Sequence, residues 1–481
     1  MQLTSTKGQL SFKAALSVIV GSIIGAGLFM KPASMAAQLN NPVAMVLVWV
    51  LAGVFTLCGT LIVAELGVMM PSTGGLFNHF THCYGKKVGF LYGWSAFSVI
   101  NTASVAAVAF IAAYYLNVLV PLPKLAPATE MTWVWSIYPL GKLYPLKDLH
   151  IKTVAIIIVL LLTLLNTKGV RAGGAFQWVA SLINGAILLL IPAFIFSSSQ
   201  GTVHHFFADS TSSLRTINLT AWAAALTGAF FALDGWINII SIAGEVKNPQ
   251  TTIPRSLFWG VAICLLLYLL MNQAYLYVLP VQKMAASPVV AADALQVAGG
   301  TFAAGFVSLL IVLCTLGSLN GNIMATARIT FALGKAQLFP KRIGQVDTRT
   351  EAPTAALWLH GCWISLLILS GSFELLADMY VFVTWIAYGL AALAVFKLRN
   401  SAPSVPRSYR VWAHPFSTGL FILFSLFYLL TTLYHDITLY QLGEKPVVNS
   451  LVGLVFVAAG LPLYFYFNQK NKTSNRNANN L

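Results

Sequence analysis

The chain has 481 residues, of which 58% are hydrophobic and only 9% are charged. Soluble proteins carry roughly 25% charged residues, so this composition excludes the soluble classes and indicates a polytopic membrane protein. The formal net charge of +15 alone would suit nucleic-acid binding. The basic residues are distributed as in membrane proteins, however. We therefore predict that the protein contacts membrane lipid and has no nucleic-acid partner.

The apolar runs predict about twelve transmembrane helices, since roughly 20 apolar residues cross a bilayer. In chain order, the predicted spans are Phe12–Gln38, Pro42–Met70, Val88–Leu119, Ile151–Asn166, Phe176–Phe196, Leu219–Ala243, Ser256–Leu279, Thr301–Leu333, Ala355–Leu369, Leu375–Leu398, Phe416–Tyr434 and Val447–Phe467. A short interfacial helix is predicted at 76–84, and a disordered, Asn- and Lys-rich tail at 468–481. The chain is thus predicted to be all-α and to form one transmembrane domain over 1–481.

Lysine and arginine predict the orientation of these spans. With the N-terminus in the cytoplasm, 20 of the 28 basic residues fall on the cytoplasmic side. Cytoplasmic loops carry such an excess of basic residues in membrane proteins. We therefore predict a multi-pass protein of the cell (inner) membrane with both termini in the cytoplasm.

The first span contains the run Gly21-Ser22-Ile23-Ile24-Gly25-Ala26-Gly27. Each glycine costs about 1 kcal/mol relative to alanine in a helix, so three in seven residues disfavour a continuous helix. Inside a bilayer an unwound backbone is tolerated only where it faces protein or a water-filled cavity. The run therefore predicts a break in the first span.

The sixth span has a matching interruption at Asp234 and Gly235. Spans one and six are five apart, so the second block of five begins from the opposite face of the membrane. This pattern predicts inverted repeats at 12–200 and 219–398, followed by helices 11 and 12 at 416–467, with a binding site at the two breaks. Broken helices offer N–H groups to an anion and carbonyls to a cation, which favours a small amine-carboxylate substrate.

Three side chains near the breaks have two interpretations each. Asp234 is the one acidic residue predicted near the membrane centre, where it costs at least about 2.5–3.5 kcal/mol. It is either a counter-charge or proton site, or a cap for the N–H groups of the break. Phe231 is either a gate or ordinary packing. Asn184, together with Ser318, Asn320 and Asn322, either lines a polar path or bonds to other helices.

Other chemistry has no pattern in the sequence. Histidines, cysteines and carboxylates lack metal-ligand spacing, and no nucleophile–base pair or phosphate loop is present. We therefore predict no metal, no cofactor and no enzymatic activity.

Five motifs in order resemble the amino acid–polyamine–organocation (APC) transporters, in particular the L-type branch and its bacterial exchangers. They are Gly21–Phe29, then Ala64–Gly67 with Pro71–Gly75, then Phe231–Trp236 with Gly244–Pro249 and Ile253-Pro254, then Leu319–Gly321 with Arg328 and Leu338–Pro340, and Pro406–Trp412 with Pro415. The resemblance implies a LeuT-like 5+5 inverted-repeat fold with discontinuous helices 1 and 6. It also implies amino-acid uptake or exchange by alternating access.

The resemblance also implies residue roles. The substrate carboxylate would meet the backbone around Ser22, Gly25, Ala26 and Gly27, and the amino group would meet Ile23 and the carbonyls of Phe231, Ala232 and Leu233. Phe231 would be the gating aromatic. Apart from the resemblance, Asp234 and Asn184 are the candidates for coupling.

The chain departs from the family pattern in four ways. Ala26 replaces a usual serine, Asn184 replaces the lysine usual in L-type members, and Asp234 stands where many members have a small residue. The loop after helix three has no cysteine, so we expect a monomer or homodimer without a disulfide-linked heavy subunit.

The leading hypothesis is a secondary amino-acid transporter, either an antiporter or a proton symporter. Asp234 motivates an alternative with the same fold, an antiporter of polyamines, cationic amino acids or decarboxylation products. A channel or a substrate-sensing receptor is the alternative from another class.

Overall fold

The computed structural model describes residues 10–70, 74–168, 170–207, 214, 216–348, 350, 352–401, 403 and 407–479, with only the backbone at 26, 170–182 and 470–479. Residues 71–73 and 406, which belong to two of the family motifs, lie outside the described residues.

The described chain is almost entirely helical. Its α-helices are α1 (Phe12–Ile23), α2 (Lys31–Leu39), α3 (Pro42–Met69), α4 (Gly75–Tyr84), α5 (Lys86–Ser95), α6 (Asn101–Leu119), α7 (Pro127–Glu130), α8 (Leu149–Thr167), α9 (Val170–Phe196), α10 (Leu219–Leu233), α11 (Asn238–Ser241), α12 (Pro249–Val278), α13 (Val281–Ala285), α14 (Val290–Lys335), α15 (Thr354–Ser370), α16 (Phe373–Ser401), α17 (Phe416–Gln441), α18 (Asn449–Ala458) and α19 (Gly460–Asn479). Shorter 3₁₀ turns lie at Ala26–Phe29, Val203–Phe206, Ala243–Glu245 and Lys341–Gly344, and a π-helical turn joins α5 to α6 at Ala96–Ile100. The two strands, β1 (Trp135–Ile137) and β2 (Gly141–Leu143), pair as an antiparallel hairpin.

Eight helices in the described part of the chain are long and apolar enough to cross a membrane. Four shorter apolar helices, Phe12–Ile23, Ile183–Phe196, Leu219–Leu233 and Thr354–Ser370, account for the other predicted spans. Two of these four end at the predicted breaks, which is why they are short. The prediction of an all-α polytopic membrane fold is confirmed.

The first of two compact units comprises Met1–Gly85, Asn184–Val307 and Thr384–His435. Within it, α12 packs against α1 and α3, and α10 packs against α2 and α3. The fully buried Trp49 and Tyr268 meet edge to face, with ring centroids 5.6 Å apart, where α3 crosses α12. Such aromatic pairs stabilise a core beyond the area that they bury.

This unit also contains a buried carboxylate at the end of α3. Glu65 is fully buried and accepts two hydrogen bonds from the Arg399 guanidinium, at 2.9 and 2.6 Å. The Val411 backbone N–H donates to it as well, at 2.8 Å. Because bidentate pairing compensates a buried charge, Glu65 fastens α16 and the following loop to α3.

The second unit comprises Lys86–Ile183, Ser308–Val383 and Asp436–Leu481. Here α6, α8 and α15 pack against one another. Asn166 donates from Nδ2 to Asn320 Oδ1 at 2.9 Å, so Asn320 bonds to another helix, as one of its two interpretations held. Lys445 lies 3.5 Å from an Asp378 oxygen and 3.3 Å from an Asp436 oxygen, which ties α16 and α17 to the loop before α18.

Of two smaller predictions, one agrees with the structure and the other differs from it. The short helix expected at 76–84 is present as α4. By contrast, α19 continues to Asn479, into the tail that the sequence predicted to be disordered. No proline or glycine follows Pro462 to end this helix, which is a physical reason for the difference. Residues 480–481 lie outside the described residues.

Candidate functional site

The first break separates α1 from α2. The helix ends at Ile23, and Gly25 is extended, with φ −124° and ψ −176°. A 3₁₀ turn over Ala26–Phe29 follows, and α2 begins at Lys31. The glycine run therefore breaks the span where the sequence predicted.

The second break separates α10 from α11. The helix ends at Leu233, Asp234 is extended, and Gly235 has a φ of +107°. L-residues with a side chain rarely adopt a positive φ of this kind, whereas glycine does so without penalty. Helical geometry resumes at Asn238. The sixth span is thus interrupted at the two residues that the sequence singled out.

The two breaks are in direct backbone contact. A Cβ atom placed on Gly235 would lie 2.3 Å from the Ser22 carbonyl oxygen and 2.8 Å from its carbonyl carbon. A Cβ atom on Gly27 would lie 2.9 Å from Phe231 Cδ1 and 3.1 Å from Ala232 Cα. Glycine at position 235 therefore allows the two chain segments to approach more closely than a residue with a side chain would, and Gly27 does so to a lesser degree.

A tyrosine that sequence reasoning missed holds the end of α1. The Tyr268 hydroxyl, on α12, donates to the Ile23 carbonyl oxygen at 2.8 Å, and both side chains are buried. The last carbonyls of a helix lack partners within the helix, so this bond satisfies one of them. The hydroxyl of a buried tyrosine needs a hydrogen-bond partner. A tyrosine within an apolar run was therefore the one sign in the sequence that such a bond exists.

Asp234 also has a tyrosine partner that was missed. The Tyr388 hydroxyl, on α16, donates to Asp234 Oδ1. Asp234 itself is half-buried, and the Tyr388 ring lies against Trp236 with centroids 4.7 Å apart. Its carboxylate is thus bound to the tenth span, a contact that neither interpretation of Asp234 included.

The two phenylalanines of the sixth span have different surroundings. Phe231 is 7% exposed, touches Gly27 and lies 5.7 Å from Lys31 Nζ, measured to the ring centroid. Phe230 packs instead against Trp385, with centroids 4.1 Å apart. Lys31 is 1% exposed. A cation over an aromatic face is attracted by the ring quadrupole.

The other predicted site residues divide into two groups. Those at the breaks are brought together: Ser22 and Gly25 are half-buried, Ile23, Gly27, Ala232 and Leu233 are buried, and Ala26 is described by its backbone alone. Asn184 is buried in α9, and its side chain makes no hydrogen bond to a described residue.

Helix ends of both signs meet at this site. The carbonyl-rich C-terminal ends of α1 and α10 stop at the breaks, and the turn at Ala26–Phe29 starts there without a side-chain cap. Helix C-termini carry partial negative charge and N-termini partial positive charge. A small molecule that carries both charges would meet groups of both signs at these helix ends.

Comparison with known proteins identifies the family. The sequence model of a family described as amino acid permease matches residues 10–457. The serine/threonine exchanger SteT of Bacillus subtilis is 28% identical over 97% of this chain and 98% of its own length. The b(0,+)-type amino acid transporter 1 of Homo sapiens is 25% identical over 96% of this chain and 88% of its own length.

The large neutral amino acids transporter small subunit 2 of Oryctolagus cuniculus is 27% identical over 98% of this chain and 82% of its own length. These matches cover nearly the whole chain, including both breaks, and the family model alone spans far more than half of it. The chain therefore belongs to the amino acid permease family of the APC superfamily.

Proposed function

We propose that this protein is a secondary transporter that exchanges amino acids across the cell membrane by alternating access. The observation that carries the proposal is the backbone contact between the two breaks, where Gly235 lies against the Ser22 carbonyl. Family membership supports amino-acid transport, and a relative named a serine/threonine exchanger supports antiport over proton symport. The relatives do not favour transport of polyamines.

The substrate carboxylate is proposed to bind the backbone N–H groups around Ser22, Gly25, Ala26 and Gly27, where the turn lacks a side-chain cap. The amino group is proposed to bind carbonyls at the ends of the two helices. These are the carbonyls of Ile23, Phe231, Ala232 and Leu233. The Ile23 carbonyl already accepts the Tyr268 hydroxyl, but a carbonyl has two lone pairs and can accept a second donor.

Phe231 is the proposed gate. It is the aromatic residue that touches both the first break, at Gly27, and the Lys31 ammonium group. A ring in this position covers the first break from the side of the sixth span. Rotation of the ring would therefore open or close access to the glycine backbone.

Asp234 and Asn184 are the proposed coupling residues. The Tyr388 hydrogen bond supports a role in which Asp234 holds the second break against the tenth span. The relatives do not favour the polyamine substrates that partly motivated a counter-charge role. If transport depends on protons, the Asp234–Tyr388 pair is the proposed proton site.

The division of the chain into units supports the inverted repeat. The first unit contains predicted spans one and two together with six and seven, and the second contains three and four together with eight and nine. Spans five apart thus fall in the same unit, as expected if 12–200 and 219–398 are repeats. Residues 416–467 lie outside the proposed repeats.

The excess of basic residues on one side supports cytoplasmic termini in the cell (inner) membrane. No cysteine follows the third span before residue 264, which supports assembly without a disulfide-linked heavy subunit, as a monomer or homodimer.

Counterflow in proteoliposomes tests the exchange proposal. Labelled serine uptake is measured with and without internal amino acid, and with and without an imposed pH gradient. We expect saturable uptake that requires internal amino acid and does not respond to the pH gradient. Uptake into empty liposomes driven by the gradient would establish symport instead.

The same assay distinguishes exchange from a cationic substrate, a channel and a receptor. Competition by putrescine or lysine, lost in Asp234→Asn, would establish that the protein transports cationic substrates. Uptake that rises linearly without saturation would establish a channel, and binding without uptake would establish a receptor.

A further inference from the structure

A group of metal-ligating side chains lies in the second unit, in a segment of the chain that contains neither break. Glu130, Asp148 and His150 each offer one ligand atom, and these three atoms all lie within 4.8 Å of one another. All three residues are half-buried and belong to the segment that joins the third predicted span to the fourth. Nothing in the proposed transport mechanism uses them.

The local backbone brings the three residues together. Glu130 is the last residue of α7, and its Oε1 accepts the Asp148 backbone N–H at 3.3 Å. Asp148 precedes α8 and His150 lies in its first turn. The Asp148 carboxylate makes no capping hydrogen bond to the helix, although aspartate is a favoured cap at this position. Its oxygens therefore remain available to a ligand.

The charge of the two carboxylates is not neutralised by a direct partner. Neither Glu130 nor Asp148 makes an ion pair with another described residue. The nearby Lys152 attracts both carboxylates only from beyond ion-pair distance, because its Nζ donates to the carbonyls of Tyr144, Pro145 and Leu369 at 3.0, 3.2 and 3.1 Å. An ammonium group has three donors, so all of those of Lys152 are in use.

The imidazole of His150 is also without a partner. Its Nδ1 atom is buried and has no hydrogen-bond partner among the described residues. No hydrogen bond or ion pair joins the ring to either carboxylate, although the three ligand atoms lie within 4.8 Å of one another. This arrangement suits a bridging ion, since metal–ligand bonds of about 2.0–2.2 Å would span it after small side-chain rotations.

We infer that Glu130, Asp148 and His150 form a binding site for a divalent transition metal of the zinc class. One imidazole and two carboxylates suit zinc and its neighbours, whereas calcium and magnesium prefer all-oxygen sites. Three protein ligands leave a fourth position for water. The sequence did not predict this site because Glu130 and Asp148 are 18 residues apart.

The expected consequence is structural. A metal ion bound to Glu130 and to the first turn of α8 would fasten the end of α7 to the start of the fourth span. A ligand that binds only the folded state raises its stability with ligand concentration. The site therefore predicts that zinc raises the stability of the folded protein.

The test uses the full-length protein in detergent after treatment with a chelator. Zinc chloride is added, and calorimetric titration and the melting temperature are measured. We expect one saturable zinc site and a rise in melting temperature that calcium and magnesium do not reproduce. Glu130→Gln, Asp148→Asn and His150→Ala should each weaken binding by about 10-fold or more, since even the loss of a group that only orients a ligand costs that much.

His204→Ala is the matched control, because His204 is an exposed histidine of another loop. It should bind zinc like the wild type, and all variants should keep the wild-type melting temperature in chelator. The inference is overturned if the wild type binds no more zinc than the triple variant, if His204→Ala abolishes binding, or if calcium binds in preference to zinc.

Discussion

Gly235→Ala tests the contact between the two breaks. The added Cβ would lie 2.3 Å from the Ser22 carbonyl oxygen, whereas ordinary contacts begin at 3.4 Å. The two chain segments must therefore separate by about 1 Å, which disturbs the proposed site directly. The positive φ of Gly235 adds strain of roughly 1–3 kcal/mol, and the overpacking adds about 1–3 kcal/mol.

We therefore expect Gly235→Ala to lower the stability of the protein by about 2–6 kcal/mol and to remove most exchange activity. The measurements are the melting temperature in detergent and serine counterflow in proteoliposomes. Gly21→Ala is the matched control, because no atom lies within 4 Å of the position of its Cβ.

Substitutions of two further glycines should have smaller effects on stability than Gly235→Ala. A Cβ on Gly25 would lie 3.6 Å from the Ile23 carbonyl oxygen, so Gly25→Ala should melt like the wild type. If the substrate carboxylate binds there, this variant should nevertheless lose serine affinity. Gly27→Ala should fall between Gly25→Ala and Gly235→Ala, because it meets a phenylalanine ring that can shift. A Gly235→Ala variant that melts and exchanges serine like Gly21→Ala would refute the reasoning.

Tyr268→Phe removes the hydroxyl donor to the Ile23 carbonyl, so stability should fall by about 1–3 kcal/mol and exchange should weaken; unchanged melting and exchange would contradict this. Glu65→Gln leaves the Arg399 guanidinium without its carboxylate, so we expect the free energy of unfolding to fall by about 3–5 kcal/mol, measured by thermal unfolding. A melting temperature equal to that of the wild type would show that the ion pair is dispensable. Burial lowers the pKa of His79 from 6.5 to about 4, so the folded protein keeps this imidazole neutral while the unfolded chain binds a proton below pH 6.5. Wild-type stability should therefore fall by about 3 kcal/mol more than that of His79→Gln as the pH drops from 6.5 to 4, and parallel pH curves would contradict the assignment.

The positions of the breaks could be predicted from the sequence because glycine lowers the stability of a helix and an acidic residue is costly inside a membrane. Gly21–Gly27 and Asp234-Gly235 therefore stood out against long apolar runs. The contact between Gly235 and Ser22 could not be predicted at the level of atoms. It depends on a positive φ and on the path of two chain segments that are far apart in sequence.

The tyrosines at the site were missed for a related reason. Tyr268 is 245 residues from Ile23, and Tyr388 is 154 residues from Asp234. In the sequence, a tyrosine that donates a hydrogen bond looks the same as a tyrosine that only packs in the core. The two can be told apart only when the acceptor of the hydroxyl is known.

The most direct measurement of the central claim is substrate protection of a cysteine placed at the breaks. Cys58 and Cys362, the two cysteines that are not buried, are first replaced by serine. Ser22→Cys is then modified with a thiol reagent at increasing serine concentrations, with His204→Cys, in an exposed loop outside the predicted spans, as the control. If the substrate binds between the breaks, serine slows modification of Ser22→Cys with the half-saturation of exchange and leaves His204→Cys unaffected. An exchange-active Ser22→Cys protein that is modified at the same rate with and without serine would contradict the account.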